Sequence, residues 1–284
     1  MVRFWAVFLA VFLGLSAASA QDGGALRFGV VPQGPPAEIL AAWQPIAAAL
    51  ERDLGRPVEA VTTPDIPTFE ACVHMGLYDI VYLNPYHYVV FSQTTGYRAV
   101  AHRADARLKG LIIVNQDSAV TSLAQLEGER IAFPSQAAFA ASILVRAELR
   151  AAGIDYTPVY TRSHESGYLA VARDLLVAAG GVNRTFGIFT ANNPDYGILR
   201  VIHQTDGYTP HPIAVAPRLN EQTVAQITQT LSGLHYTDPE ALTLLAIGRF
   251  QSPQEGAYDD VRALAIPPEE TGINLQGNPA CRSG

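Results

Sequence analysis

The residues with most chemistry to offer lie mid-chain, in Phe133-Pro134-Ser135-Gln136-Ala137-Ala138-Phe139-Ala140-Ala141-Ser142. The pattern predicts a strand, Arg130 to Phe133, then a Pro-Ser turn, then an Ala-rich helix that starts at once. The first turn of a helix leaves N–H groups without intrahelical partners and carries the positive end of the dipole. Turned into a cleft, such an end holds a small anion without lysine or arginine. Gln136, Ala137 and Ala138 would offer backbone N–H groups, and Ser135 either a ligand hydroxyl or simply an N-cap. A second strand-to-helix turn, Ser163-His164-Glu165-Ser166, makes His164 either a ligand donor or a hydrogen-bonded structural histidine. A third, Leu83-Asn84-Pro85-Tyr86-His87-Tyr88, makes Tyr88 either a cleft residue or a core aromatic. Tyr208 and His211 stand near a later crossing and are weaker candidates. No G-x-S-x-G, G-x-x-x-x-G-K-[ST] or H-E-x-x-H pattern occurs. Ser163, His164 and Glu165 are sequence neighbours, whereas a catalytic triad draws its members from separate segments. The expectation is a protein that binds and hands over, not an enzyme, with no cofactor and no metal.

The elements that position these residues alternate. Leu26–Val31, Val58–Val61 and Asp79–Leu83 read as strands, with helices between them, the second opened by Asp65-Ile66-Pro67 and running through Met75, and with Asn84-Pro85 opening another helix. The first helix carries Leu40, Trp43, Ala47, Leu50 and Leu54 at helical spacing, and Pro45 inside it predicts a kink or restart. A second set follows: a strand at Leu111–Val114, a short helix at Ser122–Leu126, the opening stretch with a helix to about Ala152, and a strand at Val159-Tyr160. The helix after His164 is expected to continue through Tyr168, Val171 and Leu175. Val201 to Val215 reads as extended chain returning to the first half, before helices near Glu221–Leu231 and Pro239–Ile247. This order implies an α/β fold of two lobes joined by two crossings. Each lobe is expected to be a mainly parallel sheet flanked by helices, with a ligand cleft at the strand ends between them.

The N-terminus reads as a secretory signal peptide: Met1-Val2-Arg3, an apolar run from Phe4 to Leu15, then small residues with cleavage expected after Ala20. That run falls short of the roughly 20 residues a spanning helix needs. The expected location is therefore the periplasm. The formal net charge of −7 argues against nucleic acid or an anionic membrane as partner. Two cysteines, Cys72 and Cys281, fit either one disulfide tying down the C-terminal tail or a buried apolar Cys72.

Most of the mature chain resembles the periplasmic phosphate/phosphite/phosphonate-binding proteins of ABC importers. The resemblance rests on Gly76-Leu77-Tyr78-Asp79-Ile80 running to Asn84-Pro85-Tyr86-His87-Tyr88-Val89, on Asp117-Ser118 with Ser122-Leu123, Leu126, Gly128 and Arg130–Phe133, and on Ser163-His164-Glu165 with Leu199–Ile202. It implies a type II periplasmic-binding-protein fold that closes like a hinge, with lobe I from 25–103 plus 212–284 and lobe II from 104–211. It implies a small anionic ligand, an ABC permease as partner and a monomer. Of the family's ligand residues, one tyrosine falls on Tyr88 and the histidine on His164. The Ser-Thr-Ser run falls near Gln136-Ala137-Ala138, an earlier tyrosine on Ile66, and an acid for an amino group near Val177. The hydroxyls and that acid are therefore replaced, which suggests a rewritten pocket. Two other readings follow: a protein that presents its ligand to a membrane sensor, or a thiol-dependent binder of a metalloid oxyanion.

Overall fold

The computed structural model describes residues 24–104, 106–194 and 198–282. The expected signal peptide at 1–20 lies outside the described residues. No helix among them is long and apolar enough to cross a membrane.

Two mixed sheets form the molecule. The first runs in the order β2 (Val58–Val61), β1 (Leu26–Val30), β3 (Ile80–Tyr82), β10 (Pro212–Val215), β4 (Arg98–Arg103) and β11 (Phe250–Gln251). The second runs β7 (Thr157–Tyr160), β6 (Arg130–Phe133), β8 (Ala178–Val182), β5 (Gly110–Asn115) and β9 (Leu199–Gln204). Strands read as alternating with helices are parallel, as β1 with β2 and β3, and β6 with β7 and β8. The antiparallel pairs come from strands that begin or end a crossing, β10 with β3 and β4, and β5 with β8 and β9. The chain passes from the first sheet to the second after β4 and returns after β9. Where the two passages run side by side, Leu108 and Tyr208 pair, each N–H donating to the other's carbonyl at 2.8 and 2.9 Å.

Helix α1 (Pro36–Leu54) runs through Pro45, so of the expected kink or restart there the restart is corrected. An interior proline costs about 3 kcal/mol. Burial of Trp43, Ile46 and Leu50 contributes ~1.5–3 kcal/mol each and outweighs that. Trp43 packs edge-on against Phe28 and lies 4.4 Å from the Tyr82 ring, so α1 is bound to the sheet that carries the cleft. Helices α2 (Ile66–His74) and α3 (Pro85–Thr94) start as predicted, with the Asp65 and Asn84 carboxylate or amide oxygens accepting from Thr68 and His87 N–H.

The helix after Ser135 does not start at once. Residues 136–138 form a turn, and Phe139–Leu144 is a π-helical segment leading into α4 (Val145–Ala151). Ala138 holds the cap position, and the Ser135 hydroxyl is buried with no hydrogen-bond partner. Helix α5 (His164–Ala172) stops short of Leu175, which is 66% exposed. Helix α6 (Asn183–Asn192) follows β8, and α7 (Glu221–Thr237) is longer than its apolar pattern. The segment read as a helix over Pro239–Ile247 is a short 3-10 turn, Pro239–Leu242, followed by irregular turns.

Cys72 and Cys281 form a disulfide that pins the C-terminal tail to α2. The thiol-dependent reading is thereby corrected, since no free cysteine remains among the described residues. A cross-link closing so long a loop restricts the unfolded chain strongly. Replacing both cysteines by alanine is expected to lower stability by about 2–4 kcal/mol. Thermal unfolding of the double variant against the oxidised parent checks this.

Candidate functional site

Parallel strands put their C-terminal ends, and the N-termini of the helices that follow, at one edge of each sheet. Here the two edges face each other. Ile66 at the start of α2 and Asn84 at the cap of α3 come from the first lobe. Ala138 to Ala141 at the start of the π segment, His164 opening α5 and Val182 capping α6 come from the second. All of these line one small inner cavity of about 20 Å³, together with Val31, Gln33 and His211. Five helix starts therefore aim at one space. Each contributes a partial positive charge of roughly +0.5 at its exposed N–H groups.

No ionised side chain lines that inner end. His164 is buried, and burial alone pulls its pKa from the ordinary 6.5 to about 4. His211 is held well below its ordinary value, first by burial and then by the positive field of Arg184 and other cations. Both imidazoles are neutral at pH 7. His164 Nδ1 lies 3.5 Å from Thr185 Oγ1, which also meets the Tyr168 hydroxyl at 2.9 Å. His211 stacks on the Tyr82 ring at 5.2 Å, and its Nε2 lies 3.3 Å from the Gln33 amide nitrogen. The Asn84 side-chain amide donates across the cleft to the Ala137 carbonyl at 3.1 Å, tying the two lobes together at the floor.

Gln33, Val182 and His211 also line a larger chamber of about 470 Å³. It lies beside the crossings and is bounded by Tyr82, Leu108, Arg103 and Arg184. The inner cavity and the chamber are one cleft with a narrow end and a wide end.

The sequence-derived candidates separate. Ala138 and His164 meet at the inner cavity. Ser135, Gln136 and Ala137 instead line a separate depression, near Thr68, Arg162 and Asn274. The reason is the turn: the helix begins three residues later than predicted, so the N–H groups at its start belong to Phe139, Ala140 and Ala141. Tyr88 lines neither space. Its ring packs edge-on against Tyr258 at 4.8 Å, Arg262 stacks over it, and its hydroxyl accepts from Ala99 N–H. Ile66 does face the inner cavity, without the hydroxyl of the family's tyrosine. Val177 lies at the far end of β8, among Asp117, Glu129 and Asp174, away from the cleft.

Sequence reasoning did not find Gln33, Arg103 or Arg184. Gln33 follows the first strand directly, which was a readable signal. Arg184 follows β8, and Ala178-Ala179-Gly180-Gly181 lacks the β-branched residues by which strands are recognised.

Comparison with known proteins agrees with this geometry. PhnD1 from Prochlorococcus marinus, solved in complex with methylphosphonate, superposes with a TM-score of 0.77 at 16% identity, over 85% of this chain and 97% of that one. A binding protein component of an ABC phosphonate transporter from Pseudomonas aeruginosa also gives a TM-score of 0.77 at 16% identity, over 92% and 95%. A Xanthomonas citri protein bound to ATP gives 0.65 at 18% identity, over 91% and 98%. These likenesses show the type II periplasmic-binding-protein fold. Residues 28–260 match the family described as "ABC transporter, phosphonate, periplasmic substrate-binding protein". The chain therefore belongs to the periplasmic substrate-binding proteins of phosphonate ABC transporters.

Proposed function

We propose that this chain captures a small oxyanion of the phosphonate, phosphite or phosphate type between its lobes and delivers it to an ABC importer. It would act as an exported monomer once residues 1–20 are removed. The observation that carries this reading is the convergence of five helix starts on a cavity without a carboxylate. Such a site favours negative charge through backbone N–H groups, and it needs no lysine. The N–H groups of Phe139, Ala140 and Ala141 form one side. His164 forms another, donating from its imidazole to the bound anion. Asn84 and Gln33 supply amides from the opposite lobe. A ligand that touches both lobes binds the closed form better and shifts the population toward it. The paired crossings at Leu108 and Tyr208 are the natural hinge. The sequence expectation of Gln136, Ala137 and Tyr88 as ligand contacts is not carried forward into this reading.

Removing the His164 donor is expected to weaken methylphosphonate or phosphate binding by about 1.5–3 kcal/mol. Isothermal titration of His164→Ala against the parent checks this, and unchanged affinity in a folded variant assigns the histidine to structure alone. Small-angle scattering is expected to show compaction on saturation with the same anion. An unchanged radius of gyration would defeat hinge closure.

The buried histidines also set an acid limit. The unfolded chain protonates His164 near its ordinary 6.5, whereas the folded chain holds it neutral down to about 4. Between those values the unfolded state binds the extra proton, so stability is full above pH 6.5 and declines as pH falls toward 4. His211 acts with the same sign. Replacing His164 by asparagine is expected to flatten this decline by up to about 3 kcal/mol, as read from denaturant midpoints across the acid range.

A further inference from the structure

The wide end of the cleft holds two guanidinium groups that capture of a simple oxyanion does not use. Arg103 ends β4 in the first lobe, and Arg184 lies in the first turn of α6 in the second. Both line the chamber of about 470 Å³. They are held to consecutive carbonyls of one turn: Arg103 Nη2 donates to Ala246 O at 3.0 Å and Arg184 Nη2 to Leu245 O at 2.8 Å. A guanidinium has five N–H donors, so most of each group's capacity remains. The Arg184 Nε–H is buried with no partner. Among the described residues no carboxylate pairs with either one. Arg107, at the same chamber, is by contrast paired with Asp260 at 3.7 Å.

The two unpaired cations act on one another. Arg103 is easier to deprotonate than usual, first through burial and second through the nearby Arg184 charge. They come from opposite lobes, so closing the cleft brings like charges together in a half-desolvated space. An anion between them removes that repulsion and presents each fork with a matching acceptor. Tyr82 and His211 share the chamber and add no negative charge, since burial raises the one and lowers the other. Size points the same way. The inner cavity of about 20 Å³ is far smaller than the chamber of about 470 Å³, so the body of any organic ligand must lie in the chamber.

We propose that the arginine chamber is a second anion subsite spanning the two lobes. The ligand it selects is an organic phosphonate or phosphate with a second acidic group, a carboxylate or another phospho group, at its far end. This rests on the oxyanion reading of the inner end, where the head group sits against His164.

Calorimetric titration with methylphosphonate, phosphonoacetate, 3-phosphonopropionate and 4-phosphonobutyrate tests it. At least one phosphonocarboxylate is expected to bind about tenfold or more tighter than methylphosphonate. Arg103→Gln and Arg184→Gln are each expected to remove most of that difference. If methylphosphonate binds as tightly as every phosphonocarboxylate, or if the difference survives both substitutions, the second subsite is overturned while the oxyanion reading stands. If none of the four binds, both are overturned. The ligand comparison on the unaltered chain decides the matter even where a variant fails to fold.

Discussion

Everything at the site depends on how closely one stretch of backbone approaches the second sheet. The carbonyls of Ala140 and Ala141 lie against Gly110 of β5 and Gly180 of β8, where any Cβ would collide with them. A collision with main chain cannot be relieved by a rotamer change. These two positions must therefore lack a side chain if the Phe139–Leu144 segment is to sit where it does. With its carbonyls pressed toward the sheet, the start of that segment, Ala138 to Ala141, lines the inner cavity. The same approach explains why β8 is built from Ala, Gly and Val, and why the segment takes a π-helical path. Such single-turn π distortions occur mostly where a functional geometry is at stake.

The cleft acquires its charge preference from this backbone arrangement more than from side chains. Helix starts contribute fixed partial charges that cost no desolvation of an ammonium or guanidinium. The two buried histidines are neutral because charging them without a partner would be expensive. Full charges appear only at the wide end, where Arg103 and Arg184 remain half in contact with solvent. The cleft thus runs from a polar but uncharged floor to a cationic mouth. A ligand with one small head and an acidic tail matches that gradient.

The two lobes share one core where Ala137–Ala141, Ile143, Leu144 and Val182 pack against the first lobe, but few covalent ties cross between the sheets. The chain passes over and back once, and the Leu108–Tyr208 pairing holds these two passages side by side. Tyr208 packs edge-on against Phe139 at 5.3 Å, which couples the passage to the π-helical segment itself. The disulfide lies within the first lobe, between α2 and the tail, and leaves motion between the lobes unconstrained.

The alternation of strands and helices, the Asp65 and Asn84 caps, and the Ser163-His164 helix start were all legible in the chain, because each is a local effect of a few neighbouring residues. They were enough to place the cleft at the strand ends and His164 beside it. The start of the helix after Ser135 was not legible. Alanine favours helix at once, but the close approach to Gly110 and Gly180 delays it to Phe139 and so transfers the free N–H groups of the helix start from Gln136–Ala138 to Phe139–Ala141. Strand β8 was equally hidden, since Ala178-Ala179-Gly180-Gly181 has little strand propensity and is extended only because its two neighbouring strands, β5 and β6, and the segment packed on them need its small size. Tyr88 follows the same logic: its spacing suits the cleft, yet Tyr258 and Arg262, distant in sequence, claim its ring. The pairing of Cys72 with Cys281 and the meeting of Arg103 with Arg184 likewise required the folded chain. The sequence by itself determined the local elements and which edge of each sheet they face. Only tertiary packing decided which atoms reach the cleft, because that depends on contacts between segments far apart in the chain.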